Sequence, residues 1–131
     1  MLETALDCND LQRSAAFYTT LLGVTPMIET ERLVAIDAGE GTVLLLFQKG
    51  AASSVYLPGG GLIPSHDSGG PGHFAFAIDA ARVAAWEARL AELQITIESR
   101  VRWERGGLSL YFRDPDNRLV ELATPGLWPS Y

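Results

Sequence analysis

Cysteine is almost absent from this sequence of 131 residues, and its scarcity excludes several kinds of protein. The single cysteine, Cys8, cannot form a disulfide within the chain or supply a cysteine-rich zinc cluster. No apolar run approaches the roughly 18 residues that a transmembrane helix needs. The chain begins with neither the basic region nor the apolar segment of a secretory signal, so we expect an intracellular, cytoplasmic protein.

Basic residues are also few. The 10 lysines and arginines are outnumbered by 16 aspartates and glutamates, which gives a formal net charge of −6. This balance excludes the basic stripe that binding to a nucleic-acid backbone needs, and it disfavours an anionic membrane surface. Hydrophobic residues make up 47% of the chain, which is enough for a folded core. We therefore expect an acidic domain that binds a small molecule, without nucleic acid or membrane as a partner.

The order of predicted elements occurs twice along the chain. The first half contains a strand at 2–6, a helix that Asp10 caps and that runs to about Leu22, and strands at 25–30, 33–38 and 42–48. The second half contains a strand at 73–78, a helix that Asp79 caps, and strands at 96–100, 108–113 and 119–123. The buried stripe of this helix is expected to be Val83, Trp86, Leu90 and Leu93. The predicted fold class is α+β.

Two tandem βαβββ modules, at about 1–48 and 73–123, are expected within a single domain. A glycine-rich loop at 49–72 connects them, and we interpret it as a lid. Such modules side by side form a curved mixed sheet around a cup, with the helices on the outer face.

Strand alternation predicts which side chains enter the cup, because the more apolar face of each strand meets the helices. One ionisable group then lies on the cup face of three strands: Glu3, His73 and Glu121. Two carboxylates and one imidazole suit a divalent metal with open coordination positions. The expected cofactor is Mn, Fe, Ni or Zn. The alternative is a metal-free salt bridge between His73 and one of the glutamates.

Several further residues are candidates for binding a substrate. They are Phe47, Trp103, Arg105, Ser109, Tyr111 and Trp128. Four of them have an alternative interpretation: Tyr111 as a side chain that simply fills the cup, Arg105 as a solvated loop residue, and Trp103 and Trp128 as parts of a dimer interface. His66, in the glycine-rich loop, is either a proton carrier or an ordinary surface histidine.

Three segments carry a resemblance to a known family. They are Asp10-Leu11 with Phe17-Tyr18 and Leu22-Gly23, the run His73-Phe74-Ala75-Phe76, and SLYFRDPDNRLVEL at Ser109–Leu122. With these segments the sequence resembles the vicinal oxygen chelate superfamily, which includes glyoxalase I, bleomycin-resistance proteins and extradiol dioxygenases. The resemblance implies paired βαβββ modules, a homodimer, and metal ligands on the first, fourth, fifth and eighth strands.

The resemblance assigns ligand positions one by one. The fifth-strand histidine matches His73, and the eighth-strand glutamate matches Glu121. The first-strand position falls on Glu3, where most enzymes of the family have His or Gln. The fourth-strand position falls on about Leu45, where glyoxalase I has a glutamate, and Leu45 cannot bind a metal. Whether one chain or two complete the cup stays open.

Two functions from different classes follow. The first is a metal-dependent enzyme of glyoxalase type, with lyase or isomerase chemistry on a vicinally oxygenated substrate, in which Glu3 or Glu121 moves a proton. An extradiol dioxygenase is less expected, because its first histidine is replaced by Glu3. The second is a metal-free protein that sequesters a drug, as bleomycin-resistance proteins do. A metal-free structural or regulatory relative is a third interpretation.

Overall fold

The computed structural model describes residues 1–51, 55–56, 61–66, 68 and 70–131. Parts of the predicted loop at 49–72 therefore lie outside the described residues. The chain divides into two units, Met1–Gly70 and Pro71–Tyr131. Neither helix in the described part of the chain is long and apolar enough to cross a membrane.

The described residues of the first unit form one helix and six strands. They are β1 (Glu3–Cys8), α1 (Leu11–Leu22), β2 (Ile28–Glu29), β3 (Leu33–Gly39), β4 (Thr42–Gln48), β5 (Val55–Tyr56) and β6 (Leu62–Ile63). The main sheet has the order β1-β4-β3-β2, with β1 parallel to β4 and the other pairs antiparallel. The predicted loop contains the short antiparallel pair β5–β6.

Helix α1 begins and ends where the sequence predicts. The Asp10 side chain accepts a hydrogen bond from the Arg13 backbone N–H at 3.0 Å, which satisfies a donor in the first turn. Gly23 ends the helix in the left-handed conformation, with a φ of 69°. Leu11, Ala15 and Tyr18 form part of the buried stripe, and their spacing is the predicted one.

The second unit repeats this order of elements. Its elements are β7 (His73–Ala77), a 3₁₀ turn (Ala80–Arg82), α2 (Val83–Glu92), β8 (Ser99–Arg102), β9 (Leu108–Arg113) and β10 (Leu119–Ala123). The sheet order is β7-β10-β9-β8, the same arrangement as in the first unit, and β7 runs parallel to β10. The predicted α+β fold of two βαβββ modules is confirmed.

Two predicted strands and one buried stripe differ from the structure. The strand predicted at 25–30 is reduced to β2, because Pro26 has no N–H to donate to a strand partner. The strand predicted at 96–100 begins only at Ser99, after a left-handed residue, Gln94 (φ 57°), that follows α2. Of the stripe predicted on α2, only Leu90 is buried.

The β9–β10 hairpin places the candidate site. Leu110 pairs with Leu122 and Phe112 with Val120, and all four side chains are buried on one face of the sheet. Burying each side chain of this size is worth roughly 1.5–3 kcal/mol relative to exposing it. Since side chains alternate along a strand, the residues between them project from the opposite face.

The turn between these strands is held by a buried ion pair. The Arg118 guanidinium lies 2.9 Å from the Asp114 carboxylate, and both side chains are buried. Asn117 adopts a φ of 65°, a left-handed conformation that asparagine tolerates better than most residues. The predicted Asp-Pro-Asp-Asn turn is confirmed, and it fixes the register in which Glu121 faces Tyr111.

Candidate functional site

A cavity of ≈ 340 Å³ lies in the second unit, which is within the size range of small-molecule pockets. It is lined by residues of β7, β9 and β10, of the β8–β9 connection and of the C-terminal segment: His73, Ala75, Ala77, Trp103, Tyr111, Glu121, Ala123, Leu127, Trp128 and Tyr131. The strand residues among them occupy the face that the alternation predicted for the cup. The small alanine side chains leave space beside the ionisable groups.

The His73 ring is oriented by the backbone. Its Nδ1 lies 3.1 Å from the Leu119 carbonyl oxygen, and because a carbonyl only accepts, Nδ1 carries the proton. In the neutral ring Nε2 then has a free lone pair, and it lies 3.2 Å from Oε2 of Glu121. Two lone pairs facing each other at this distance repel. A proton or a cation between them is needed to make the contact favourable.

Glu121 is held by a directional chain of hydrogen bonds. The Trp103 indole N–H, which can only donate, bonds to the Ser109 hydroxyl oxygen at 2.8 Å. The Ser109 hydroxyl in turn donates to Oε1 of Glu121. The Glu121 side chain is 6% exposed, against 48% for His73. Oε1 is thus satisfied by the protein, and Oε2 is the oxygen directed at His73.

Tyr111 adds a phenol to the same face. Burial raises its pKa above the ordinary value of 10.0, and the negative charge of Glu121 together with a hydrogen bond to it acts in the same direction. The hydrogen bond with Ser109 lowers the pKa but does not cancel these effects. Tyr111 therefore remains a neutral O–H donor at physiological pH.

The C-terminal segment, residues 124–131, forms an aromatic wall of the cavity. The Trp103 and Trp128 ring centroids are 6.4 Å apart, with an interplanar angle of 38°. The Tyr131 hydroxyl donates to the Ala123 carbonyl at 3.0 Å, and the Gly126 N–H donates to the Tyr131 carbonyl at 2.8 Å. The segment folds back on itself and is tied to the end of β10.

The structure brings together two of the three predicted metal ligands, His73 and Glu121. Glu3 belongs to the first unit, where it is exposed at the start of β1 and pairs with Val43 as His73 pairs with Leu119. No group of three or more His, Cys, Asp or Glu side chains within the described residues is placed to hold a metal ion. The three-ligand set stays a prediction.

In the first unit, the position equivalent to Glu121 is Leu45. Leu45 pairs with Ala5 on β1, as Glu121 pairs with Ala75 on β7. This is the position to which the sequence resemblance assigns the missing fourth-strand ligand.

Two predicted substrate-binding residues are not among the residues that line this cavity. Phe47 belongs to the first unit, and its ring packs edge-on against that of His66, with centroids 4.7 Å apart. Arg105 is exposed in the connection between β8 and β9 and is not among the residues that line the cavity. Their proposed contacts with a substrate stay predictions.

Sequence reasoning missed a buried carboxylate in the first unit. Asp7 accepts hydrogen bonds from the Ser68 backbone N–H at 2.6 Å and from its hydroxyl at 2.9 Å, and His66 Nδ1 lies 3.8 Å from the same carboxylate. The available signal was the alternation of β1, which continues through Asp7 to Cys8 rather than ending at Leu6. The sequence also gave no sign that Leu127 lines the cavity or that the Leu119 carbonyl orients His73.

The model of the Glyoxalase/Bleomycin resistance protein/Dioxygenase superfamily matches residues 1–122. The chain belongs to this superfamily. Among solved structures it is similar to a lactoylglutathione lyase from Agrobacterium tumefaciens, at 35% identity and a TM-score of 0.85, over 98% of this chain and 96% of the other.

Two more distant structures share the fold alone. A glyoxalase/bleomycin resistance protein from Catenulispora acidiphila is 17% identical, with a TM-score of 0.67 over 94% of this chain and 96% of the other. A virulence protein from Salmonella typhimurium is 19% identical, with a TM-score of 0.71 over 95% of this chain and 94% of the other.

Proposed function

We propose that this protein is a divalent-metal-dependent enzyme of glyoxalase type, with lyase or isomerase chemistry on a small, vicinally oxygenated substrate. The observation that carries the proposal is the contact of His73 Nε2 with Glu121 Oε2 at 3.2 Å inside a cavity. The similarity to a lactoylglutathione lyase at 35% identity supports the reaction class.

The donors fit a divalent metal. The Leu119 carbonyl holds His73 in the tautomer that leaves Nε2 free, and metal-binding histidines are commonly oriented by such a second hydrogen bond. Ser109 similarly orients the Glu121 carboxylate. In the proposal Glu3 is the third ligand, since the sequence resemblance assigns it the first-strand ligand position. A mixed nitrogen and oxygen set suits Mn, Fe, Ni or Zn.

The chain's own groups have distinct roles in the proposed reaction. A bound divalent cation would supply Lewis-acid stabilisation of negative charge on a substrate oxygen. Glu121 or Glu3 moves a proton between substrate carbon and oxygen, as a carboxylate within reach of both can do. The Tyr111 phenol, whose pKa is raised further above neutral pH by burial, donates a hydrogen bond to a substrate oxygen.

A second candidate is a metal-free binding protein, and one observation favours it. The network from Trp103 through Ser109 and Glu121 to His73 is complete once a single proton lies between Nε2 and Oε2. An ion pair of this kind needs no third ligand, and no third His, Cys, Asp or Glu joins the pair among the residues that the structure describes.

Metal content distinguishes the two candidates. Untagged wild-type protein, after incubation with each divalent ion and gel filtration, is analysed by mass spectrometry beside Glu121→Gln, Glu3→Ala and, as the exposed control, Glu31→Ala. We expect near-stoichiometric metal in the wild type and in Glu31→Ala. In the other two variants the affinity for metal should fall at least tenfold, because the loss of one ligand contact costs about 1.4 kcal/mol.

The remaining outcomes are equally decisive. Metal retained by Glu3→Ala but lost by Glu121→Gln would remove Glu3 from the ligand set. Absence of metal from every sample would overturn the metal-dependent function and leave the binding protein. With metal bound, conversion of a hemithioacetal of an oxo-aldehyde tests the reaction class.

A further inference from the structure

Part of the aromatic wall of the cavity comes from a stretch of the chain that the family match does not cover. The match ends at residue 122, whereas Leu127, Trp128 and Tyr131 all line the cavity. The side chains that the family match does cover supply the ionisable end, with His73 and Glu121. The cavity therefore has a polar end built by the sheet and an apolar end built by the C-terminal segment.

The wall is held in place by close backbone packing. A Cβ added at Gly107 would lie 2.7 Å from the Gly126 carbonyl carbon, and one added at Gly126 would lie 2.6 Å from the Gly107 nitrogen. Two glycines thus let the C-terminal segment approach the β8–β9 turn closely. This contact and the hydrogen bond from the Tyr131 hydroxyl to the Ala123 carbonyl together fix the position of Trp128.

The shape and the charge of the cavity favour one class of ligand. Trp103 and Trp128 present aromatic rings to the cavity, and Ala75 and Ala77 of β7 line the same cavity with small side chains. A flat conjugated group that stacks on an indole ring gains energy that a saturated group of equal size lacks. The faces of the two indole rings attract a cation and disfavour an anion.

We propose that this cavity binds a small molecule that carries a flat aromatic or conjugated group against the Trp103–Trp128 wall and no anionic substituent beside it. As a statement about substrate the inference rests on the proposed function, but the binding itself requires no metal. It assigns Trp128 as a specificity-determining residue and separates this chain's substrate from one that carries free carboxylates.

The test uses the three tryptophans as reporters in ¹⁵N-labelled full-length protein with EDTA present. Four probes are titrated: naphthalenemethanol, naphthylmethylamine, naphthoate and the saturated decahydronaphthalenemethanol. We expect the neutral and cationic naphthalenes to bind and to shift the indole N–H signals of Trp103 and Trp128. The Trp86 signal, from a residue on α2 that does not line the cavity, should stay in place. Naphthoate and the saturated probe should bind about tenfold more weakly, the loss of one stacking or charge contact.

A matched pair of variants locates the effect. Trp128 is 62% exposed and Met27 is 54% exposed, so neither replacement removes a buried core residue. Trp128→Leu should weaken naphthalenemethanol binding about tenfold, and Met27→Ala should leave it unchanged. Equal binding of naphthoate or of the saturated probe, equal shifts at Trp86, or wild-type affinity in Trp128→Leu would each overturn the proposal.

The outcome is separable from that of the proposed function. Naphthalene binding in EDTA together with no metal binding in any sample would retain this ligand class and overturn the metal-dependent enzyme. Metal binding together with no shift of the Trp103 or Trp128 signals by any probe would retain the metal-dependent enzyme and overturn this ligand class.

Discussion

At the scale of single residues, the site depends on groups whose hydrogen-bonding direction is fixed. An indole N–H only donates, and a carbonyl only accepts. Trp103 therefore forces the Ser109 proton towards Glu121, and the Leu119 carbonyl forces the His73 proton onto Nδ1. These two groups fix the direction of every hydrogen bond in the network. His73 Nε2 and Glu121 Oε2 are therefore two acceptors that face each other, and a proton or a cation can bind between them.

The phenol of Tyr111 gives a pH-dependent prediction at this scale. Its pKa is raised in the folded state, mainly by burial, so the neutral form is favoured by folding. The resulting stabilisation is fully present below the unfolded pKa near 10 and is lost as pH rises through the folded value. Stability against urea should therefore fall more steeply above pH 10 in the wild type than in Tyr111→Phe.

A difference titration checks the same prediction directly. The ultraviolet absorbance of phenolate, taken as wild type minus Tyr111→Phe, should show a transition at a higher pH than that of a model tyrosine. If the transition occurs at or below the pH at which free tyrosine ionises, Tyr111 ionises freely and cannot act as a neutral donor at alkaline pH.

At the scale of elements, one hairpin and one terminal segment build the cavity. The β9–β10 hairpin turns Leu110, Phe112, Val120 and Leu122 into the core, and the alternation then presents Glu121 to the cavity. The C-terminal segment closes the other side because Thr124 remains bonded to the hairpin: its N–H donates to the Leu108 carbonyl at 3.0 Å. The Glu121 carboxylate and the C-terminal part of the aromatic wall thus come from contiguous chain.

Gly107→Ala tests this construction. The new methyl group would meet Gly126 backbone and the Leu127 side chain at 2.7 Å, so the C-terminal segment must move away. We expect a loss of about 1–3 kcal/mol in the free energy of unfolding, as for other overpacked sites, together with greater exposure of the Trp128 indole. Urea unfolding and acrylamide quenching of tryptophan fluorescence measure the two effects.

Gly72→Ala is the matched control. A methyl group there has nothing within 4 Å, and its backbone is not in the left-handed region. Its free energy of unfolding should stay within about 0.5 kcal/mol of the wild type, as for ordinary surface changes. Equal effects of the two substitutions would mean that the close approach of Gly107 and Gly126 does not hold the wall.

At the scale of the whole molecule, one architecture occurs twice, but the two copies carry different side chains at the equivalent strand positions of the site. His73 and Glu3 occupy equivalent strand positions, as do Glu121 and Leu45. The repeat therefore preserved the sheet while the functional side chains diverged. The homodimer that the resemblance implies stays a prediction, which sedimentation analysis checks as a mass of one or two chains.

Metal binding should stabilise the folded chain as a whole. A ligand that binds only the folded state at about 100 times its Kd adds roughly 2.7 kcal/mol, which raises Tm on the order of 10 °C for a protein of this size. We expect this rise on adding Mn²⁺ to the EDTA-treated wild type and to Glu31→Gln, measured by circular dichroism. Glu121→Gln should show no rise. An equal rise in all three proteins would place the bound metal elsewhere.

Much of the fold and part of the candidate site could be predicted from the sequence, because both depend on local periodicity. Alternation identified the strands and the face that carries His73 and Glu121, and Asp10 with Gly23 set the ends of α1. Element boundaries failed where a single residue overrode the pattern, as Pro26 did at β2. The stripe on α2 failed because periodicity shows which side chains share a face and not how deeply that face is covered.

The sequence by itself determined the fold class, the family and two side chains that meet at the site, since periodicity and motif order are local properties of the chain. The tertiary structure alone decided the rest. It set the tautomer of His73 through a backbone carbonyl, the orientation of Glu121 through Ser109, and the position of Trp128 through two glycines. These features depend on contacts between residues that are distant in sequence, and no linear pattern records such contacts.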